Sequence, residues 1–218
     1  MPGQLEQRSY PLDQVAVELR AEGDGPRSIA WYPALFDTLS EDLGGFRERI
    51  GRRAFTQTLQ SADIRSLVNH DPNQILGRTS AGTLRVKTDL RGLHAETAIP
   101  ATTYANDLLA NLENKNITGG SFMFRSLEDR WELEDVEGTE TLVRTVRAAE
   151  LYDVSLVTFP AYRATEGSAE LRSLAQEWRQ KLTALPAVAA EEPTPEASAG
   201  PKSYLRRRLE LHGLNFRR

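Results

Sequence analysis

Residues 130–147, RWELEDVEGTETLVRTVR, carry the pattern that decides the fold class. Apolar and polar residues alternate through 131–134, apolar and β-branched residues are frequent in 139–146, and Glu137, Gly138 and Thr139 join the two runs. Alternation with a period of two is typical of a strand with one buried face, and a short link containing glycine is typical of a hairpin. The stretch therefore predicts two antiparallel strands.

The same pattern extends to both sides of this hairpin. Residues 84–88 and 94–99 alternate around the turn-forming residues 89–92, which predicts a second hairpin, and the apolar segment 150–159 predicts a further strand. A helix interrupts the strands at 101–114, where leucines recur at helical spacing. Many short strands and few helices predict a mainly β fold with flanking helices (α+β), built as a small antiparallel barrel or sandwich.

Composition excludes several classes of site and protein. The chain of 218 residues has no cysteine, which excludes disulfides, thiolate metal sites and a cysteine nucleophile. Its apolar runs are far shorter than the roughly 20 residues of a membrane-spanning helix. The first residues, MPGQLEQRSYPLDQ, have no apolar core of a secretory signal, so we expect a cytoplasmic protein that is not secreted.

The C-terminal part of the chain changes character in three steps. Residues 168–182 place leucine, alanine and tryptophan at helical spacing, which predicts a helix that packs on the chain or on another copy. Residues 186–200 are rich in Pro, Ala and Glu and predict a disordered linker. Residues 201–218 carry six basic side chains against one acid. This basic tail either has its own partner or is a solvated helix.

Among the three histidines, His70 has the position best suited to chemistry. It ends the apolar run RSLVNH and precedes Asp71, Pro72 and Asn73, a strong turn signal. A histidine that projects from the end of a strand is well placed to act as a general base. An ordinary surface or capping histidine explains the same pattern.

Ser121 follows two glycines in ITGGSFMF, residues 117–124. A hydroxyl nucleophile needs room for a carbonyl carbon and nearby backbone N–H groups for the oxyanion. Gly119 and Gly120 remove two Cβ atoms beside it, so that a peptide substrate and the backbone can come close. A β-bulge with an incidental serine is the alternative.

The apolar strand at 150–159 contains two acids, Glu150 and Asp153. A carboxylate in such a strand is costly to bury unless it is paired. One natural partner is a histidine whose imidazolium the carboxylate orients. A salt bridge to an arginine of the RTVR segment is the competing interpretation.

Four sequence blocks follow one another along the chain. The first is the segment 39–55. The second, around His70, contains NHD (69–71), LGRT (76–79), GTL (82–84) and the Gly-Leu before a strand ending in Ile99-Pro100. The third is the serine strand ITGGSFMF, and the fourth is EL..VSLVTFPAY (150–162). Together, in this order, they resemble the N-terminal region, histidine block, serine strand and closing block of the tailed-phage prohead maturation proteases, and the resemblance runs from about residue 28 to residue 166.

The resemblance implies a serine endopeptidase with the small antiparallel β-barrel of the herpesvirus assemblin type. Ser121 would be the nucleophile and His70 the general base, with Asp153 as third member and Glu150 as second choice for the acid. Gly119 and Gly120, with Ala161 and Tyr162 of the following loop, would bind the substrate and the oxyanion.

The resemblance also implies where the enzyme acts and on what. It would be packaged in the procapsid within the host cytoplasm, where it cleaves the major capsid protein or scaffold, and itself. We expect a homodimer with no cofactor, no metal, no membrane and no specific nucleic acid. The predicted division is an N-terminal extension (1–27), a protease β-barrel domain (28–166), a C-terminal helix (167–185), the linker (186–200) and the basic tail (201–218).

Two other functions stay open at this stage. The chain can be a catalytically silent capsid or scaffold component with the same fold. It can also be a metal-dependent hydrolase that uses His70, Asp71 and His94, although their spacing matches no metal motif. A Ser-His-His set with His94 as third member is a further variant of the protease.

Overall fold

The hairpin at 130–147 is the middle of two long strands. The computed structural model describes residues 4–20, 27–160 and 169–184. In it, one strand runs without interruption from Gly119 to Val136 and the other from Thr139 to Val157, with lengths of 18 and 19 residues. Glu137 and Gly138 link them, and both have positive φ (54° and 80°). The serine strand and the acid strand are therefore the far ends of one hairpin, where the sequence pattern predicted separate strands.

The described residues form ten strands and four helices. The helices are α1 (Leu12–Val15), α2 (Thr58–Ser61), α3 (Thr103–Glu113) and α4 (Ala169–Ala184). The strands are β1 (Leu5–Pro11), β2 (Glu18–Arg20), β3 (Ser28–Leu35), β4 (Arg47–Ile50), β5 (Arg65–Val68), β6 (Asp71–Arg78), β7 (Leu84–Thr88), β8 (Gly92–Ala98), β9 (Gly119–Val136) and β10 (Thr139–Val157). The predicted hairpin at 84–99 and the helix at 101–114 are confirmed as β7–β8 and α3.

The strands divide between two sheets. Six form a sheet of order β1-β9-β10-β5-β6, in which β4 also pairs with β10, and four form a sheet of order β2-β3-β8-β7. Strands β4 and β5 run parallel to β10, at Val143–Val146 and Asp153–Leu156 respectively. The six-stranded sheet is thus mixed rather than wholly antiparallel. The fold is mainly β with few helices, and closure into a barrel stays a prediction.

The core lies between the two sheets. Its largest fully buried side chains include Trp31 of β3, Phe55, and Phe122 and Phe124 of β9. Phe122 packs edge-on to Phe55 and stacks on Phe124 with a ring-centroid distance of 5.1 Å. Burying aromatic side chains of this size contributes much of the apolar stabilisation of a domain. Because Phe122 and Phe124 anchor one face of β9 in the core, Ser121 is directed to the opposite face.

Helix α4 covers a second, smaller apolar cluster. Its Leu171 and Ala175 are buried with Leu43, Phe46 and Trp131. The predicted helix at 168–182 is thus observed at Ala169–Ala184, and its apolar face packs on the chain itself. No helix among the described residues is long and apolar enough to span a membrane.

The segment predicted as an N-terminal extension contributes to both sheets. Strand β1 pairs with β9 and strand β2 pairs with β3. Between them, α1 places Val15 in the core with no exposed surface. Residues 4–20 are therefore built into the fold.

Candidate active site

Three adjacent strands bring the predicted site residues together. Ser121 is the third residue of β9, and in the next strand Ser155 of β10 lies opposite it. On the other side of β10, β5 ends at Val68, so that His70 lies just beyond it. Asp153 is two residues before Ser155 on the same face of β10. The strand order β9-β10-β5 thus places a hydroxyl, a carboxylate and an imidazole on neighbouring strands.

Hydrogen bonds join the three side chains in series. His70 Nε2 lies 2.7 Å from Ser121 Oγ, and His70 Nδ1 lies 2.6 Å from Asp153 Oδ1. Only 9% of the His70 side chain and 7% of the Asp153 side chain are exposed, so solvent screens the pair weakly. A carboxylate can only accept hydrogen bonds, so the ring proton of His70 is assigned to Nδ1, which faces Asp153. Nε2 is then free to accept the proton of Ser121.

Ser155 is a fourth member of this network that the sequence patterns did not single out. Its Oγ donates to Asp153 Oδ1 at 2.9 Å and accepts the backbone N–H of His70 at 3.2 Å. The side chain is fully buried. The signal was present in the sequence, because residues 153 and 155 are two apart and share one face of a strand.

The backbone at His70 has an unusual conformation that aims the ring. Asn69 and His70 have φ of 51° and 57°, and the residues that flank them, Val68 of β5 and Asp71 of β6, are paired with each other. Two consecutive positive φ values in a two-residue hairpin are typical of a type I′ turn. The predicted turn at Asp71–Asn73 is therefore wrong: these residues begin β6, and the chain reverses at 69–70.

The Asn69 side chain fixes this turn against β10. Its Oδ1 accepts the backbone N–H of Thr158 at 2.8 Å, and its Nδ2 donates to Thr158 Oγ1 at 3.0 Å. The Asn69 backbone N–H donates to the Leu156 carbonyl at 3.0 Å. Asparagine tolerates the left-handed region better than most residues, so the sequence suits the conformation.

The two glycines before Ser121 leave space that other segments of the same chain fill. A Cβ at Gly120 would lie 3.3 Å from Trp31 Cδ1 and 3.3 Å from Val15 Cγ2, so this position faces the core rather than a substrate. A Cβ at Gly119 would lie 2.9 Å from the carbonyl oxygen of Tyr10 in β1. The close approach that the sequence predicted at Gly119 is thus made, in this structure, by a strand of the same chain.

The Ser121 hydroxyl is covered by β1. Ser121 Oγ lies 2.9 Å from the carbonyl oxygen of Arg8 and 3.0 Å from Ser9 Oγ, which donates to it. Ser121 has no exposed surface. Neither Arg8 nor Ser9 was expected at this site from the sequence.

Other predicted residues lie away from the three. Glu150 accepts from Tyr152 Oη at 2.7 Å, a bond that raises the pKa of Tyr152, and lies 3.5 Å from Arg125 Nη1. His94 packs against the Tyr32 ring in the four-stranded sheet, where burial and nearby Lys87 lower its pKa. Ala161 and Tyr162, together with the predicted linker and basic tail, lie outside the described residues.

The metal-site alternative does not gain support from this geometry. Asp71 accepts hydrogen bonds from its own strand β6, from the Asn73 backbone N–H at 2.8 Å and from Gln74 Nε2 at 3.3 Å. In residues 4–20, 27–160 and 169–184, no cluster of three His, Asp or Glu side chains is suited to hold a metal ion.

Comparison with known proteins gives a family. Residues 15–179 match the model of the caudovirus prohead serine protease family. A similar solved structure is that of the bacteriophage T4 capsid assembly protease, gp21, with 12% sequence identity, a TM-score of 0.45, and coverage of 72% of this chain and 99% of that chain. No curated protein matches this sequence. The family match spans most of the chain and includes Ser121, His70 and Asp153, and the chain belongs to the caudovirus prohead serine protease family.

Proposed function

We propose that this chain is the endopeptidase that cleaves capsid or scaffold protein inside the procapsid, with Ser121 as nucleophile, His70 as general base and Asp153 as the carboxylate that orients His70. The observation that carries the proposal is the continuous series Ser121 Oγ, His70 Nε2, His70 Nδ1 and Asp153 Oδ1, with separations of 2.7 Å and 2.6 Å. A nucleophile within hydrogen-bond reach of a base, itself oriented by an acid, is the recurrent arrangement of serine hydrolases.

The three side chains together account for the proton transfers and bond changes of peptide hydrolysis. Ser121 Oγ attacks the carbonyl carbon of the peptide bond as its proton passes to His70 Nε2, and a C–O bond forms. The C–N bond then breaks, and His70 gives the proton to the departing amine. Water, deprotonated by the same imidazole, hydrolyses the ester and restores Ser121. Asp153 stabilises the imidazolium in both halves and stays ionised.

Oxyanion stabilisation is assigned to the backbone N–H groups of Ala161 and Tyr162, which follow Pro160. A single such donor typically contributes about 10²–10³ in turnover. The assemblin-type barrel, self-cleavage, a homodimer and the division of the chain at residues 27, 166, 185 and 200 are further parts of the proposal. The basic tail would tether the enzyme to scaffold or capsid, or be removed by self-cleavage.

Co-expression with the neighbouring capsid gene tests this function. The unaltered chain is expected to lower the mass of the capsid protein by a defined N- or C-terminal segment, while Ser121→Ala and His70→Ala leave it intact. Thermal unfolding of both variants checks that they fold. An unaltered chain that cleaves neither capsid protein, nor scaffold, nor itself would support the alternative of a catalytically silent component.

A further inference from the structure

Strand β10 ends just before Thr158, and side chains provide the hydrogen bonds that a neighbouring strand would otherwise make there. The last pair between β9 and β10 is Gly119 opposite Val157. Thr158 donates its backbone N–H to Asn69 Oδ1 at 2.8 Å, and its carbonyl oxygen accepts from Thr118 Oγ1 at 2.6 Å. Its hydroxyl oxygen accepts from Asn69 Nδ2 at 3.0 Å. Every polar group of Thr158 is therefore held by a side chain.

The two side chains that hold Thr158 come from the segments of the proposed base and nucleophile. Asn69 directly precedes His70 in the turn between β5 and β6. Thr118 lies three residues before Ser121, at the start of the nucleophile strand. Thr158 thus joins these two segments at one point. We call Asn69, Thr118 and Thr158 together the Thr158 clamp.

The clamp sets the direction in which the chain leaves β10. Phe159 does not anchor the next segment by burial, because it is 70% exposed. Pro160 has no backbone N–H to donate, and it lies against β9: a Cβ at Gly119 would be 2.7 Å from Pro160 Cβ. The chain therefore passes close beside Gly119, two residues before Ser121. Hydrogen bonds to Thr158 and this one close contact hold the segment in place.

We propose that the Thr158 clamp positions the oxyanion donors: it fixes Phe159 and Pro160 beside the nucleophile strand, so that the N–H groups that follow Pro160 are in place when the oxyanion forms. This inference rests on the peptidase function proposed above. Preorganised donors stabilise a transition state because nothing has to rearrange as the charge develops. A displacement of about 1 Å in a catalytic geometry can lower a rate by about 10². The clamp therefore supports kcat without contacting the substrate.

The clamp lies at the surface, so variants of its residues should fold. Asn69 and Thr118 are exposed, and Thr158 is half-buried. Removing a hydroxyl at an exposed position leaves no buried polar group without a partner, so stability should change little. A loss of kcat in such a variant, measured well below its Tm, is then not a consequence of unfolding.

Isosteric substitution of Thr118 in the full-length chain tests the clamp. Thr118→Val keeps the shape of the side chain and removes the donor to the Thr158 carbonyl, whereas Thr118→Ser keeps the donor. The substrate is a peptide that spans the cut found in capsid protein by co-expression. We expect Thr118→Val to lower kcat by about tenfold or more with KM within about twofold, and Thr118→Ser to retain most of the activity.

Thr141 offers a matched control at the other end of β10. Its Oγ1 donates to the Thr139 carbonyl at 3.1 Å, a bond of the same kind as the one that Thr118 makes. Thr141→Val should therefore keep the kcat and KM of the wild type. Wild-type kcat in Thr118→Val, or equal losses in Thr118→Val and Thr118→Ser, would overturn the inference.

The pH profile separates an effect on the oxyanion from an effect on the base. The acid limb of a plot of kcat/KM against pH reports protonation of the general base in the free enzyme. It should keep its wild-type position in Thr118→Val, since the bonds of His70 to Asp153 and Ser121 are untouched. A displaced acid limb would mean that the clamp acts on the base and would overturn the inference. A wild-type chain that cleaves no capsid protein, scaffold or peptide would refute the peptidase function itself.

Discussion

Ser155 Oγ donates a hydrogen bond to Asp153 Oδ1 at 2.9 Å and at the same time accepts the backbone N–H of His70 at 3.2 Å. One hydroxyl therefore orients the carboxylate and holds the turn that carries the imidazole. We expect Ser155→Ala to lower kcat by about tenfold or more, because a hydrogen bond to a charged group contributes roughly 1.5–3 kcal/mol. KM should change little, since Ser155 lies beneath the site. Steady-state kinetics on a peptide substrate measures both constants.

Ser66 offers a matched control for this substitution. It is also a fully buried serine, and it lies on β5, opposite Val154 of β10. Its Oγ has no hydrogen-bond partner among the described residues. Ser66→Ala should therefore retain activity and be equally or more stable. Equal losses of kcat in the two variants would mean that Ser155 acts only through packing.

The sequence predicted the local elements and left the long-range pairings open. The β7–β8 hairpin and helix α3 follow from alternation, turn residues and helical spacing, all of which act over a few residues. Strand β1 was not expected, because its partner Ser121 is more than a hundred residues away and nothing local sets that register. The continuity of β10 was hidden by register shifts at Val146/Ala148 and Leu151/Asp153, which interrupt the alternation.

The candidate site, too, could be predicted where it depends on local sequence and not where it depends on long-range contacts. Serine, histidine and acid were selected by residue type and by family resemblance, and the fold brings His70, Ser121 and Asp153 together. The turn was placed two residues too late because Asp-Pro-Asn is the stronger local signal, whereas Asn69 is held in the left-handed region by bonds to Leu156 and Thr158. Those tertiary bonds decide the geometry and cannot be read from the local sequence.

The choice between the two acids of β10 has a direct test. Asp153→Asn keeps the shape of the side chain but lets the amide donate to His70 Nδ1, which favours the wrong tautomer for accepting the serine proton. We expect kcat to fall by about 10³–10⁴. Glu150→Gln, whose carboxylate pairs with Tyr152 and Arg125 at the surface, should keep activity within about twofold. A larger loss of kcat in Glu150→Gln than in Asp153→Asn would mean that Glu150, and not Asp153, is the carboxylate that acts with His70.

The turn at 69–70 should be sensitive to its first residue. Asn69→Ala places a side chain that disfavours positive φ in the turn and also removes the bonds to Thr158, so we expect a loss of about 2 kcal/mol in the free energy of unfolding. Asn69→Gly keeps the backbone conformation and loses only the side-chain bonds. Urea unfolding and turnover should therefore rank the proteins as wild type, then Gly, then Ala. The same values for both variants would show that backbone conformation is not the limiting factor.

An ion pair at the base of the same hairpin predicts a pH effect on stability. Arg78 Nε donates to Asp63 Oδ2 at 2.9 Å, and this bond, with one from Ser80, lowers the pKa of Asp63. Because the folded pKa lies below the unfolded one, the carboxylate stabilises the fold above its unfolded pKa of about 3.9, and that contribution is lost as pH falls further.

Comparison of Tm at pH 6 and pH 3 reports this contribution. Asp63→Asn should have a lower Tm than the wild type at pH 6, and its Tm should fall by less than that of the wild type between pH 6 and pH 3. Asp107→Asn, at an exposed position of α3, should keep the wild-type pH dependence. Parallel Tm curves for Asp63→Asn and the wild type would contradict a role for this ion pair.

Substituting alanine for each of the two glycines before Ser121 should lower the free energy of unfolding by different amounts, because the glycines face different neighbours. In Gly119→Ala the new Cβ would lie 2.7 Å from Pro160 Cβ and 2.9 Å from the Tyr10 carbonyl oxygen, so either β1 or residue 160 must shift. In Gly120→Ala the contacts are with side chains at 3.3 Å, which smaller adjustments relieve. We expect Gly119→Ala to lower the free energy of unfolding by about 1–3 kcal/mol and Gly120→Ala by less. If β1 is the segment that gives way, fluorophosphonate labelling of Ser121 should become faster in Gly119→Ala alone. Faster labelling in Gly120→Ala, with none in Gly119→Ala, would contradict this explanation.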